Sequence, residues 1–288
     1  MARMPFFSVS IGKEEFQWQG VDLPKFIALL TFGFILWRFP TPSGLETNAW
    51  HLFIIFICTI IAIMTKPLPI GGVSLCVITL CAITKTLSVE KTLSSFSSHI
   101  VWLVFVAFLI ARGFIKTGLG TRIAYLFMAR TGKTTLGLSY GMIATELLLA
   151  PLIPSNTARG GGIIFPLINS LNNEYKSFSD SDESRHKLGA YLIQLLYHAN
   201  TISSCMFLTA MAANPLIVSF AKDLGIEISW GSWALAACVP GLISLAILPP
   251  LMMILLPPTI RKTPHASDLA REKLKEMGAL SFNEIVMM

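Results

Sequence analysis

The chain has 288 residues, of which 53% are hydrophobic and 13% charged, and its mean hydropathy is +0.66. A soluble domain carries roughly 25% charged residues, so the composition excludes an ordinary water-soluble fold and points to lipid. The net charge is +6 and the pI about 9.1, but the basic residues are scattered over short loops and form no continuous patch, which excludes a nucleic-acid surface.

Residues 1–22 lack the apolar core and cleavage site of a signal peptide and the Ser and Arg enrichment of a transit peptide. They read as a cytoplasmic segment of a bacterial inner-membrane protein, with the plastid inner envelope as the alternative. A spanning helix needs about 20 apolar residues. Candidate spans run over 23–40, 47–65, 68–87 and 99–115, giving four scaffold helices within 23–115. A basic stretch, 116–135, holds Arg122, Arg130 and Lys133 without an acid, and its apolar residues predict an interfacial helix on the cytoplasmic side. The five cysteines fall in or beside apolar runs with no metal-ligand spacing and read as small buried hydrophobes.

From 136 to 171 the chain is apolar but interrupted at its centre by Pro151, Pro154, Ser155, Asn156, Thr157, Ala158, Arg159 and three glycines. Each arm is too short to span, which predicts a re-entrant hairpin. A polar loop over 172–187 follows. The apolar run 188–221 is too long for one straight helix. It is broken at Asn200, Thr201, Ser203 and Ser204, and again at Asn214-Pro215, with Asn214 expected to cap a second piece starting at Pro215. A closing span covers 232–257, so 188–257 forms a broken helix plus a closing helix. Residues 258–288 are a charged amphipathic cytoplasmic tail.

The fold class is therefore an all-α integral membrane protein with about six transmembrane helices and one re-entrant hairpin. With the N-terminus inside, every Lys and Arg except Arg38, Lys85, Lys91, Lys222 and the tip residue Arg159 falls on the cytoplasmic side. That is a strong positive-inside bias.

Broken helices at membrane depth expose bare backbone groups, and transporters build substrate and ion sites from them. Ser155, Asn156 and Thr157 offer hydroxyl and amide partners, and Gly160 with its neighbours lets a ligand approach the backbone. Arg159 is the natural partner of a carboxylate; the alternatives are that it snorkels or pairs with Glu146. Glu146 reads equally as a proton-coupling acid and as a structural partner, and His198 as a hydrogen-bonded structural residue or a relay. Thr209 and Asn214 are expected to face the same pocket across the second break.

The stretches Pro154-Ser155-Asn156-Thr157-Ala158-Arg159-Gly160-Gly161-Gly162 and Phe207-Leu208-Thr209-Ala210-Met211-Ala212-Ala213-Asn214-Pro215 resemble the divalent anion/sodium symporter superfamily, closest to its 2-oxoglutarate/malate and citrate/succinate translocators. The resemblance implies a homodimeric elevator transporter for malate, 2-oxoglutarate and succinate-class dicarboxylates, and no enzyme. It also implies that Ser155, Asn156 and Thr157 contact a substrate carboxylate. In sodium-coupled members the tip and the helix break hold sodium, which would place such a site at Ser155 and Asn156. Here Arg159 brings a fixed cation, so sodium-independent exchange without metal or other cofactor is expected, with sodium/dicarboxylate symport as the alternative. Such transporters carry a second, inverted repeat with its own Ser-Asn-Thr, whereas this chain has one and corresponds to the first repeat. A truncated, non-transporting half is a further alternative. A serine hydrolase using Ser155 and His198 lacks a Gly-x-Ser-x-Gly context.

Overall fold

A computed structural model of the chain describes residues 9–11, 14–16 and 20–287. The chain divides into two compact units at Ser98/His99. The helix at 99–117, expected among the scaffold spans, thus lies in the second unit.

The first unit holds a short antiparallel pair, β1 (Val9–Ile11) and β2 (Glu14–Phe16), with Val9 opposite Phe16. This pair is a small departure from the all-α expectation. Helices α1 (Leu23–Trp37), α2 (Thr47–Thr65), α3 (Ile70–Ile83) and the short α4 (Val89–Leu93) follow. Asp22 caps α1, Pro24 opens its first turn, and the Asp22 N–H donates to Pro67 O at 2.9 Å. Left-handed Lys66 (φ 52) ends α2, and Pro69 starts α3. Trp37 stacks on His51, with ring centroids 3.8 Å apart. Phe34, Met64, Leu75 and Ile83 are exposed, as apolar side chains facing lipid would be.

The second unit carries α5 (His99–Thr117), α6 (Leu119–Thr131), α7 (Thr135–Leu149), α8 (Asn156–Arg159), α9 (Phe165–Glu174) and α10 (Asp182–Arg185). It continues with α11 (Gly189–Met206), α12 (Ala213–Asp223), α13 (Trp230–Leu255), α14 (Pro264–Met277) and α15 (Phe282–Val286). Its core is built from Leu138, Met142, Leu149, Ile163, Leu171, Leu192, Leu195, Leu245 and Met252.

Among the described residues, three helices are long and apolar enough to cross a membrane: Thr47–Thr65, Ile100–Thr117 and Trp230–Leu255. The spans expected at 23–40 and 68–87 form helices of 15 and 14 residues. Such helices rise about 22 Å, against a hydrocarbon core of about 30 Å. Pro40 and Pro42 beyond one, and Pro67 and Pro69 ahead of the other, set those limits. Of the cysteines, Cys81 alone is buried; Cys76 and Cys205 are exposed on apolar helices.

Helix α13 runs through Pro240, Pro249 and Pro250. Pro250 has no N–H for the carbonyl four residues back. The Tyr140 hydroxyl donates to that carbonyl, Ala246 O, at 2.7 Å. A neighbouring helix thus satisfies a backbone group that lipid could not.

The helix expected over the basic stretch forms as α6, enclosed by α7 and the C-terminal helix α14. Arg122 is buried rather than turned to water. It donates to Glu284 through Nε at 2.6 Å and to Gly278 O through Nη1 at 2.9 Å. Residues 258–287 therefore fold back onto the unit instead of trailing from it. Thr263 Oγ1 donates to Gly132 O at 2.8 Å, and Ser267 Oγ to Ala129 O at 2.6 Å.

The Arg122 guanidinium, aided by the Ser281 backbone, holds the Glu284 carboxyl at about 2. A depressed carboxylate pKa adds stability above the unfolded value, near 4.5, and that stability is lost as pH falls towards about 2. Arg122→Ala is expected to expose residues 278–287 to protease at neutral pH. The wild-type chain is expected to do so only on acidification through that window, read by limited proteolysis with an acid-active enzyme.

Candidate functional site

Helix α7 stops at Leu149 because Pro151 and Pro154 cannot continue it. Residues 150–155 form the tip, and Ser155, in extended backbone, caps the return: its Oγ accepts from Ala158 N at 3.1 Å. The return runs through α8, a π-turn over Gly160–Ile164, and α9. It thus begins at Asn156, ahead of the glycines, which instead build the π-turn. Single π-turns inside helices are frequent at functional positions.

Helix α11 runs unbroken from 189 to 206. The break expected from the sequence at Asn200, Thr201, Ser203 and Ser204 does not form; Asn200, Ser203 and Ser204 instead lie on one face at i, i+3 and i+4. The single break follows Met206, with a 3-10 turn at Leu208–Ala210. Helix α12 starts at Ala213, not Pro215. Asn214 does not cap α12 either. Its Nδ2 donates to Ser204 O at 2.8 Å and Phe207 O at 2.9 Å, satisfying carbonyls at the C-terminal end of α11.

Arg159 is 0% exposed. Its Nε donates to Glu146 Oε2 at 3.2 Å, Nη1 to Ile153 O at 2.5 Å and Ala210 O at 2.9 Å, and Nη2 to Ser204 Oγ at 2.6 Å. One side chain thus joins α7, the tip, α11 and the second break. Glu146 Oε2 also accepts from Asn200 Nδ2 at 3.1 Å and Ser203 Oγ at 3.2 Å. Of the alternatives open for Arg159, pairing with Glu146 is the one the structure holds.

Beside this network lies a pocket of about 320 Å³. Its polar wall is Glu146, Asn156, Thr157, Tyr197 and Asn200, its floor Gly160 and Gly161, and its apolar wall Ile164, Phe165, Ile168, Ile193 and Leu196. Of the residues singled out in the sequence, Glu146, Asn156, Thr157 and Gly160 line it. Ser155 is occupied as a cap, and Arg159 lies behind the wall. Thr209 and Asn214 do not line it. Thr209 Oγ1 donates to Pro151 O at 3.0 Å and accepts from Trp230 Nε1 at 3.3 Å, bracing the tip against α13.

Asn200 gained its role only from the structure. Its Nδ2 also donates to Asn156 O at 3.2 Å, so it fixes the tip to α11. The sequence signal was present, in the Asn200, Ser203 and Ser204 spacing, but it reads as a helix break when the run is taken to be too long. His198 is exposed and sets its ring edge against Tyr197. No hydrogen bond joins it to Ser155 among the described residues, so the pair has no triad geometry.

Apolar helices interrupted around a buried polar network are the construction of a secondary membrane transporter, in which the site is built at helix breaks. The chain belongs to the family described as the sodium:sulfate symporter transmembrane region, which matches residues 21–288. It is 51% identical over 268 residues to YflS of Bacillus subtilis (strain 168), named for malate transport, covering 93% of this chain and 56% of the relative. It is 46% identical to the chloroplastic dicarboxylate transporter 1 of Arabidopsis thaliana (94% and 48% covered) and 36% identical to the citrate/succinate antiporter of Escherichia coli (strain K12) (90% and 57% covered). The chain thus spans about half the length of the curated relatives it matches. The family is one of membrane transporters, not enzymes.

Removing one partner of a buried ion pair costs about 3–5 kcal/mol, because the other charge is stranded. Arg159→Ala and Glu146→Ala are each expected to destabilise the second unit by about that much, and the double variant by less than their sum. A double-mutant cycle on chemical unfolding in detergent measures this.

Proposed function

We propose that the chain is the first-repeat portion of a bacterial inner-membrane dicarboxylate exchanger, and that the pocket at the tip of residues 150–155 takes one carboxylate of a malate-class substrate. The support is the pocket itself, in which Asn156 and Thr157 place amide and hydroxyl groups beside a π-turn. No described residue accepts from the Asn156 Nδ2 group, which leaves it for a ligand. The names of the relatives, for malate, dicarboxylate and citrate/succinate transport, supply the substrate class.

Ser155, Arg159, Thr209 and Asn214 then act as positioning residues, each holding the tip or the break in place. Asn156, Thr157 and Gly160 are the contact residues, and Asn200, whose Nδ2 donates to Glu146 Oε2 and Asn156 O, holds the wall beside them. The re-entrant course of residues 136–171, the division into scaffold (23–115) and transport (136–257) parts, and a homodimer of complete transporters belong to the same reading. A complete substrate site would need the counterpart repeat that the resemblance implies, for which the greater length of the relatives leaves room.

The family description names sodium symport, so sodium coupling is the rival. Two carbonyls that a cation bridging tip and break would use, Ile153 O and Ala210 O, are both taken by Arg159 Nη1. The Arg159 guanidinium occupies the space between these carbonyls, with Glu146 as its counter-charge. The residues present do not fit a sodium ion there, which favours exchange without sodium.

Asn156→Ala is expected to weaken malate binding by about 1–3 kcal/mol, measured by calorimetry on the detergent-solubilised chain assembled with its counterpart half, while Thr209→Ser leaves the affinity unchanged. When the chain is assembled with its counterpart half in proteoliposomes, labelled malate is expected to enter only against internal dicarboxylate. Uptake driven by a sodium gradient with empty vesicles would refute the exchange reading.

A further inference from the structure

A groove of about 470 Å³ runs along the first unit, with Phe26 and Trp37 of α1 on one wall and Cys76 and Leu80 of α3 on the other. Helices α1 and α3 each pack on α2, whose Cys58 and Ala62 form the floor. Gly33 seats α1 on that floor: a Cβ there would lie 3.1 Å from Cys58 Sγ. Leu30, Phe34 and Leu80, also in the lining, are exposed, so the groove opens to the surroundings of the helices.

The lining excludes a polar ligand. Its two hydroxyls are spent within their own helices: Thr59 donates to Ile55 O at 2.6 Å and Thr84 to Leu80 O at 2.7 Å. The lining contains no Asp, Glu, Lys, Arg or His among the described residues. A polar group placed there would lose its hydration without gaining a partner. The part of the ligand inside the groove is therefore apolar.

Length narrows the choice. From Phe26 to Trp37 helix α1 rises about 16 Å, close to the roughly 15 Å hydrocarbon depth of one bilayer leaflet. A helix of that length occupies on the order of 1,200 Å³, more than twice the groove, whereas an extended hydrocarbon chain is far thinner.

Charge at the ends narrows it further. Trp37 and Thr84 mark one end of the groove, and Arg38 and Lys85 follow them directly, one from each wall. Both cations are exposed, and neither is in an ion pair among the described residues. Trp37, stacked on His51, is the kind of aromatic that sits at headgroup level. At the opposite end Lys25 is paired with Asp22 at 2.8 Å, which leaves Lys66 as the single cation there.

We propose that this groove is a lipid-binding site, which takes one acyl chain of an anionic phospholipid and holds the phosphate between Arg38 and Lys85. The acyl chain completes the packing between two helices that otherwise meet chiefly through α2. The site involves the first unit alone and does not rest on the dicarboxylate reading.

The test is photolabelling of the full chain in phosphatidylcholine vesicles that carry a trace of phosphatidylglycerol with a diazirine midway along one acyl chain. Adducts are located by peptide mass spectrometry. They are expected to concentrate at Leu30, Cys58 and Cys76, several-fold above the exposed Leu235 and Ile254 of α13. A phosphatidylcholine probe with the same acyl chain is expected to show no such preference. Cys76→Phe, which fills the groove from an exposed position, is expected to abolish labelling there and leave that of α13 unchanged. The double variant Arg38→Gln/Lys85→Gln is expected to reduce phosphatidylglycerol labelling to the phosphatidylcholine level, while Lys66→Gln does not. Equal labelling of the wild-type groove by the two probes overturns the proposal without need of a variant. Adducts spread evenly over all exposed helices, or a groove that a second copy covers and lipid does not label, also overturn it.

Discussion

A single buried guanidinium organises the second unit. Arg159 reaches Glu146 on α7, Ile153 at the tip, Ser204 on α11 and Ala210 in the break. A charge inside an apolar segment is tolerated only when paired and fully hydrogen-bonded. The tip and the break are both short of backbone partners, because prolines and a 3-10 turn have ended their helices. The arginine supplies donors to the carbonyls left over, and Glu146 supplies its counter-charge. Two interruptions that would each be unstable in lipid thus satisfy one another.

That arrangement has a consequence for the pocket. With Arg159 committed to the protein, the groups facing the pocket are amides, hydroxyls and one carboxylate edge. An anion bound there would meet amide and hydroxyl groups, with the arginine charge-paired behind the wall rather than a direct ligand. Such contacts are less dependent on ligand geometry than a bidentate bond. It is compatible with a site that accepts several related dicarboxylates, as proposed.

Arg122 repeats the device at the other end of the unit. There the guanidinium satisfies carbonyls at the end of α14 and pairs with Glu284. Both arginines act where a helix terminates inside packed structure, and both bring an acid from a distant part of the chain or an adjoining arm. The C-terminal segment is in this way part of the packed unit that carries the pocket, through α6 and α7.

The sequence by itself determined the membrane class, the apolar runs, an interruption within 151–162 and a second break near Asn214-Pro215. Each of these follows from local chemistry: apolar run length, proline, glycine and charge. The resemblance carried by the two motif stretches pointed to the family. Only the tertiary structure decided which polar residues face the pocket and which hold the frame. Arg159, Thr209 and Asn214 look like ligands in sequence because they are polar groups at breaks, yet a break's own carbonyls compete for the same donors and win by proximity. Asn200, Ser203 and Ser204 look like a break because polar residues interrupt an apolar run. They sit on an intact helix because i, i+3 and i+4 spacing turns them together towards the Glu146–Arg159 pair. Long-range pairing of this kind, such as Arg122 with Glu284 across 162 residues, leaves no local trace in composition or periodicity, and folding alone brings it about.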